Sequence, residues 1–226
     1  NIVGLIAKLE SISTSDFGPN LGSDSEMGKV TKTMQEIWNE EACHYIGLST
    51  QGYGETAMAL GRIFLGELLY LSYHALGPGK AKVKNPISIY FDEFGGLVTL
   101  NFIELLNKCR AAKMELTMAV QSPSDIDRSN EFLTKQIIEN CSNLFVFKQR
   151  LDSAAALFSE AIGTIPAIKQ TQAIENGSPD GRGSEREVNE LVVHPDIIKG
   201  LNIGQCVLLQ HNPVRVDVLN LRSFNF

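Results

Sequence analysis

Four cysteines in 226 residues, Cys43, Cys109, Cys141 and Cys206, are too few and too widely spaced to build a disulfide scaffold. No Cys-x-x-Cys pair occurs, and His44 beside Cys43 has no second pair with which to complete a zinc site. The thiols are therefore expected to be buried and kept in a reducing compartment. No apolar run approaches the ~20 residues of a membrane span, and no signal peptide opens the chain. Its start at Asn1 suggests a piece of a longer protein. Positive charge is not in excess either: 20 Lys and Arg face 26 Asp and Glu, a formal net charge of −6. That excludes broad non-specific coating of a duplex, so any contact with nucleic acid is local or belongs to another part of the protein. What is present is an ordinary globular composition, 43% hydrophobic and 20% charged. It suffices for one large domain, or one domain with an appendage, and excludes a disordered chain. No internal repeat or low-complexity segment was found.

The first forty residues predict helices broken by a polar stretch. Ile2, Leu5, Ile6 and Leu9 lie at helical spacing, residues 13–25 are rich in Ser, Asp, Gly and Pro, and a second helix is predicted over 27–38 with Val30, Met34, Ile37 and Trp38 on its apolar side. His44 to Leu48 suits a short buried strand. Gly52 and Gly54 then punctuate the chain before a long helix over 55–74, whose buried face is marked by Ala57, Leu60, Phe64, Leu68 and Leu71. Gly77-Pro78-Gly79 stops that helix, and residues 80–85 form a basic loop. Strands are predicted at 87–91, 115–120 and 144–147, with helices at 100–113, 131–140 and 153–162, the last closed by Gly163. Uniformly apolar strands alternating with helices predict an α/β fold with a mostly parallel sheet covered on both faces. Residues 169–189 read as an exposed loop or hairpin tip, with a solvated connection the preferred reading, and 205–219 as an edge hairpin around His211-Asn212-Pro213.

The sharpest chemical signal is Ile87-Ser88-Ile89-Tyr90-Phe91-Asp92-Glu93, an apolar strand ending in two adjacent acids. Burying two acids without partners is costly, so they are expected at the carboxyl end of the strand, facing the crevice where open α/β sheets bind ligands. This is the pattern of a Walker B strand, in which the first acid holds Mg²⁺ and the second polarises an attacking water. The plainer reading is a strand ending in two solvated acids at a turn. Downstream, Arg110 lies on the helix after the acids, and the next strand ends at Gln121. Those are positions from which an arginine can reach a neighbouring subunit's nucleotide and a polar side chain can sense a γ-phosphate. A surface arginine and a turn residue remain the alternatives. His74 at a helix end suits the C-terminal dipole, and His194 before Pro195 reads as a loop residue.

Taken together, F-D-E-F at 91–94, N-K-C-R-A-A-K at 107–113, M-A-V-Q-S-P-S-D-I at 118–126, N-L-F-V-F at 143–147 and the tail from Arg186 to Gln205 resemble the TraD/TraG-type coupling proteins of conjugative type IV secretion. These are relatives of the FtsK and HerA DNA pumps. The resemblance runs from about His44 to the end. It implies a RecA-like P-loop NTPase core over 43–226, with 1–42 as the end of an inserted all-α domain. Asp92 would be the metal-side acid, Glu93 the catalytic base, Gln121 the sensor and Arg110 a finger supplied to the next subunit. It also implies ATP and Mg²⁺ as cofactors of the full-length protein, a homohexameric ring, and DNA reached through a relaxosome. Channel proteins of the secretion apparatus and a membrane anchor outside this chain, at the cytoplasmic face of the bacterial inner membrane, complete that picture.

One element of the pattern is missing. The phosphate-cradling G-x-x-x-x-G-K-[ST] loop does not occur. Gly28-Lys29 lacks the following hydroxyl residue and its upstream glycine is out of register; Gly79-Lys80 is followed by Ala81; neither follows an apolar strand. In the family this loop precedes the all-α domain, so this chain alone is expected neither to bind ATP tightly nor to hydrolyse it. A TraC-like pilus-assembly ATPase and a non-catalytic docking or oligomerisation module are the competing readings. The tail from Arg186 argues against the first, and Asp92-Glu93 against the second.

Overall fold

A computed structural model describes residues 2–18, 32–76, 85–127, 132–175 and 178–222. The chain divides into two compact units, Asn1–Ile137 and Ile138–Phe226. The first holds helices α1 (Ile2–Ser13), α2 (Met34–Asn39), α3 (Thr50–Leu76), α4 (Leu100–Cys109), α5 (Pro123–Ile126) and the start of α6 (Leu133–Asn140), with strands β1 (Ile87–Phe91) and β2 (Met114–Met118). The second holds β3 (Asn143–Phe147), α7 (Asp152–Ile162), β4 (Thr164–Glu175), β5 (Ser178–Leu191), α8 (Pro195–Gly200), β6 (Gln205–His211) and β7 (Val214–Asn220).

In the first unit β1 and β2 run parallel, with Ile87 opposite Met114 and Phe91 opposite Met118. Period-2 alternation gives the pair two unlike faces. Ile87, Ile89, Phe91, Met114, Leu116 and Met118 are buried or half-buried, whereas Ser88, Tyr90, Glu115 and Thr117 are exposed, Ser88 donating to Glu115 at 3.1 Å. The two-sided cover expected from sequence is thus found on one face only. Beneath the buried face lies α4, against which α3 packs in turn. Ala57, Leu60, Leu65, Leu68 and Leu71 of α3 form its inner stripe, with Phe64 half-buried, and Phe102, Leu105 and Leu106 do the same for α4. Gly54, at φ 40 and ψ −111, breaks α3 near its start, so the regular helix begins where the glycine punctuation predicted it. Only the last turn of α1 is held: Ile12 is buried and Ser11 meets Thr56 across 2.9 Å, while Ile2, Leu5, Ile6 and Leu9 are exposed. The second helix starts later than its periodicity suggested. Thr33 caps it in a reciprocal capping box with Glu36, whose carboxyl is held below its usual range by the Thr33 backbone N–H and hydroxyl. The rest of its expected start, 27–31, and the basic loop up to Lys84 lie outside the described residues.

The second unit is built on an antiparallel sheet of order β3-β6-β7. Val146 faces Val207 across β3 and β6, and both join Ala155 and Ile162 of α7, Val193, Ile198 of α8, Leu201 and Leu209 in one buried cluster. Gly163 ends α7 at φ 101, a backbone state that excludes most side chains. Buried Ser159 donates to the Val193 carbonyl, tying α7 to the segment before α8.

Several expectations are corrected. Residues 43–49 form no strand, and Tyr45 is 94% exposed: β1 pairs with β2 alone, leaving this apolar run no described partner. The expected solvated connection at 169–189 is a long antiparallel hairpin, β4 with β5. The 205–219 hairpin is present, but β6 is its sheet's central strand and only β7 is an edge. Of the cysteines only Cys206 is fully buried, and Cys43 is exposed. The architecture is α/β, yet β1–β2 is the only parallel pair among the described residues.

Phe102 is 1% exposed and its ring meets those of Phe91 and Phe94, whereas Tyr90 on β1 is 76% exposed. Phe102→Ala should lower the unfolding free energy by about 3–5 kcal/mol and Tyr90→Ala by less than about 0.5 kcal/mol, read by urea denaturation. Equal losses would contradict the assignment of the two faces.

Candidate functional site

The parallel register brings the carboxyl ends of β1 and β2 to the same edge. The ladder continues one step past each strand: the Ala119 N–H donates to the Phe91 carbonyl at 2.8 Å, and the Phe94 N–H returns to the Ala119 carbonyl at 3.2 Å. Between these bonds the chain must turn sharply, and Glu93 does so in the left-handed region, at φ 50 and ψ 40. A glutamate there is uncommon, because its Cβ crowds the backbone. A single 3-10 turn, Phe94–Leu97, follows. Phe94 is its buried anchor, 2% exposed and 5.4 Å from the Phe102 ring centre. Gly95 lies so close to α5 that a Cβ would sit 2.9 Å from the Asp125 Cβ. Gly61 of α3 approaches the Leu97 side chain too closely to carry one, and Arg62 Nη2 donates to the Gly96 carbonyl at 3.3 Å.

This turn aims Glu93 at Gln121. Gln121 Nε2 donates to Glu93 Oε1 at 2.9 Å, and both residues are exposed. Gln121 is positioned in turn by the start of α5, where Ser122 caps Ser124 through its hydroxyl and Pro123 occupies the first helical position. Buried Thr134 donates its hydroxyl to the Pro123 carbonyl at 3.1 Å, which fixes that cap from behind. Asp92 is exposed beside Glu93 and has no hydrogen-bond partner among the described residues. Two of the residues singled out from sequence are therefore in contact, and a third adjoins them.

Arg110 is not part of that group. It caps the C-terminus of α4 and is exposed. The chain passes from it to Lys113, whose carbonyl accepts from the Ile87 N–H at the amino end of β1. Five strand residues at ~3.3 Å each separate that end of the sheet from the Glu93 end. Among the described residues no three His, Cys, Asp or Glu side chains gather as a metal site. Mg²⁺ needs no such cage: it keeps several waters and takes one or two carboxylates along with substrate phosphates. A lone strand-end Asp92 fits that share. His74 contacts Tyr70 and Tyr73 in the last turn of α3, and His194 caps α8, accepting from the Asp196 N–H at 3.3 Å, so neither belongs to the site.

Residues 86–202 match the family described as the TraM recognition site of TraD and TraG. The chain belongs to this family. The matched stretch includes Asp92, Glu93, Arg110 and Gln121. Among solved structures the chain is similar to the unbound monoclinic form of the bacterial conjugative coupling protein TrwBΔN70, at 16% identity and a TM-score of 0.57, over 74% of this chain and 37% of that one. It is similar also to plasmid coupling protein TrwB in complex with ADP and Mg²⁺, at 17% identity, TM-score 0.54, over 74% and 36% of the two chains. The complex of TrwB with a non-hydrolysable ATP analogue aligns at 17% identity, TM-score 0.55, over the same shares. At such identities the likeness establishes the fold. The chain spans little more than a third of the length of those chains. No curated protein sequence matches it.

Arg62 was not singled out by the sequence, because a surface arginine on a helix carries no periodic signal. The preceding Gly61 inside the apolar stripe of α3 was the available hint of a close approach.

The left-handed backbone at Glu93 sets an expectation for stability. Glu93→Gly relieves the Cβ clash at the cost of chain entropy, so it should leave the unfolding free energy within about 0.5 kcal/mol. Glu93→Val, β-branched in the same region, should lower it by about 1–3 kcal/mol. Denaturation of the two variants in parallel checks this; a glycine variant as unstable as the valine one would contradict it.

Proposed function

We propose that this chain is part of the motor domain of a conjugative coupling ATPase, which uses ATP hydrolysis to drive DNA through a type IV secretion channel. The single observation that carries the reading is the Gln121–Glu93 hydrogen bond at the carboxyl end of a parallel strand pair. A water-polarising carboxylate and a phosphate-sensing amide must share one edge of the sheet to act on one nucleotide, and the pairing of Glu93 with Gln121 at one edge supports that reading. Glu93 is the base in this proposal. Asp92 would hold Mg²⁺, and Gln121, positioned by the Ser122 cap of α5, would sense the γ-phosphate. Bound Mg²⁺ would offset the charge that develops on the transferring phosphoryl group.

Residues 43–226 then form the C-terminal part of a RecA-like core, and 1–42 end an all-α insertion. The exposed face of β1–β2 supports this, since parallel strands are normally covered on both sides by a larger sheet and its helices. Arg110, at the opposite end of the sheet, is too far to serve the same nucleotide as Glu93, which supports a finger acting on a neighbouring subunit of a homohexamer. DNA would reach the ring through a relaxosome, and the membrane anchor would lie outside this chain, at the cytoplasmic face of the inner membrane. Among the described residues no helix is long and apolar enough to cross a membrane. Membership of the TraD and TraG family favours this coupling role over a TraC-like pilus-assembly ATPase. The family's description also favours a second role for the same segment, contact with a TraM-type partner.

The test uses the full-length protein. Glu93→Gln should bind ATP normally and turn over roughly 10²–10⁴-fold more slowly, because the amide keeps the shape and loses the base. Arg110→Ala should bind ATP and lose roughly 10³–10⁵-fold. Mixing the two variants, after subunit exchange has been verified, should restore part of the activity at interfaces that pair an intact base with an intact arginine. Near-normal turnover by Glu93→Gln would remove the base. Mixed rings as inactive as either parent would remove the finger.

A further inference from the structure

A left-handed glutamate persists only where its surroundings hold it. Ahead of Glu93 the strand ladder does so. Behind it the chain runs into Phe94–Leu97, where Gly95 and Gly96 have no side chains with which to anchor themselves. Phe94 is pinned by its buried ring and by its N–H on Ala119. Two residues further on, the turn is held from outside by α3. Gly61 admits the Leu97 side chain, Met58 lies against Gly96 so closely that a Cβ there would overlap its thioether, and Arg62 donates to the Gly96 carbonyl at 3.3 Å. A guanidinium donor strengthens such a bond relative to a neutral one. Arg62 is exposed and makes no ion pair among the described residues, so its described polar contact serves this turn.

We propose that Arg62 is a positioning residue for the Glu93 carboxylate, fixing the turn behind it through the Gly96 carbonyl and so keeping Glu93 aimed at the space shared with Gln121. The proposal rests on Glu93 being the base. Without the bond, Gly95–Leu97 loses its hydrogen-bonded tie to α3, and the strain at Glu93 relaxes through the loosened turn even though Phe94 stays anchored. Displacements of about an ångström at a reacting group are enough to cost turnover heavily while leaving substrate binding unchanged.

In the full-length protein, Arg62→Met keeps the aliphatic stem over α3 and removes the donor. It should lower kcat about ten-fold, with KM for ATP within about two-fold and Tm within a few degrees of the parent. Arg62→Lys, which retains one donor, should recover at least half of the lost turnover. In the Glu93→Gln background Arg62→Met should add less than a two-fold effect, because the group it positions is gone. A merely structural arginine would show the same loss in both backgrounds, or a loss that follows Tm, and either result overturns the proposal. So does wild-type kcat in Arg62→Met while Glu93→Gln is inactive, which leaves the base assignment standing. Near-normal turnover by Glu93→Gln itself overturns both together.

Discussion

The Phe94 N–H and the Ala119 N–H form a pair of backbone bonds that closes the carboxyl end of β1 onto β2. Between the two bonds lie Asp92 and Glu93, and the chain has room there for only a left-handed turn. The features around that edge are arranged about this turn. Phe94 must be buried to hold the turn, so α4 supplies Phe102 as its wall. Glycine follows at 95, where the Asp125 Cβ and backbone close in, and at 96, where the Met58 side chain lies against the turn. The side chain of Glu93 is left exposed on the outer edge, where Gln121 meets it. A left-handed glutamate with an exposed carboxylate contributes little to folding, and that strain is what motivates the catalytic role proposed for Glu93.

The same reasoning separates the two ends of the sheet. At the carboxyl edge, Asp92, Glu93 and Gln121 are gathered by strand geometry, and helix ends and caps fix them. At the amino edge, Arg110 at the end of α4 is exposed, and its side chain has no hydrogen bond or ion pair among the described residues. The exposed Arg110 and the mutually bonded Glu93 and Gln121 are what the proposed finger and nucleotide-edge roles would require. The long β4–β5 hairpin in the second unit is exposed along most of its described length, carrying Ile165 and Ile168 outward and a Lys169–Glu190 pair at 3.1 Å. Isolated two-stranded hairpins are marginal in water.

What could be read in advance was whatever local pattern determines. Ile87 to Phe91 is too apolar and too abruptly ended by acids to be anything but a strand reaching an edge, and the spacing to Gln121 placed that residue at the end of the next one. The stripe of α3 and the glycine break before it were equally plain. Tertiary partners were not legible. His44 to Leu48 has the composition of a buried strand, but composition does not supply a neighbour to pair with. Residues 164–170 of β4 and 183–190 of β5 are mostly exposed, and a strand pair that meets water on both faces carries the polarity of a loop. The Thr33–Glu36 box lay in the sequence as T-x-x-E and outweighed the apolar spacing that suggested an earlier helix start. The left-handed state of Glu93 and the reach of Arg62 depend on three elements arriving at one turn, which no window of sequence contains.

The central claim is that the Glu93–Gln121 edge is where a nucleotide's terminal phosphate sits. It is tested most directly by a crystal structure of the full-length protein with Mg²⁺ and a non-hydrolysable ATP analogue. The account predicts the Glu93 carboxylate and the Gln121 amide within about 2.6–3.2 Å of the γ-phosphate or of one intervening water, with Asp92 on the metal's water shell. A nucleotide bound elsewhere, with Glu93 and Gln121 still paired only to each other, would contradict it.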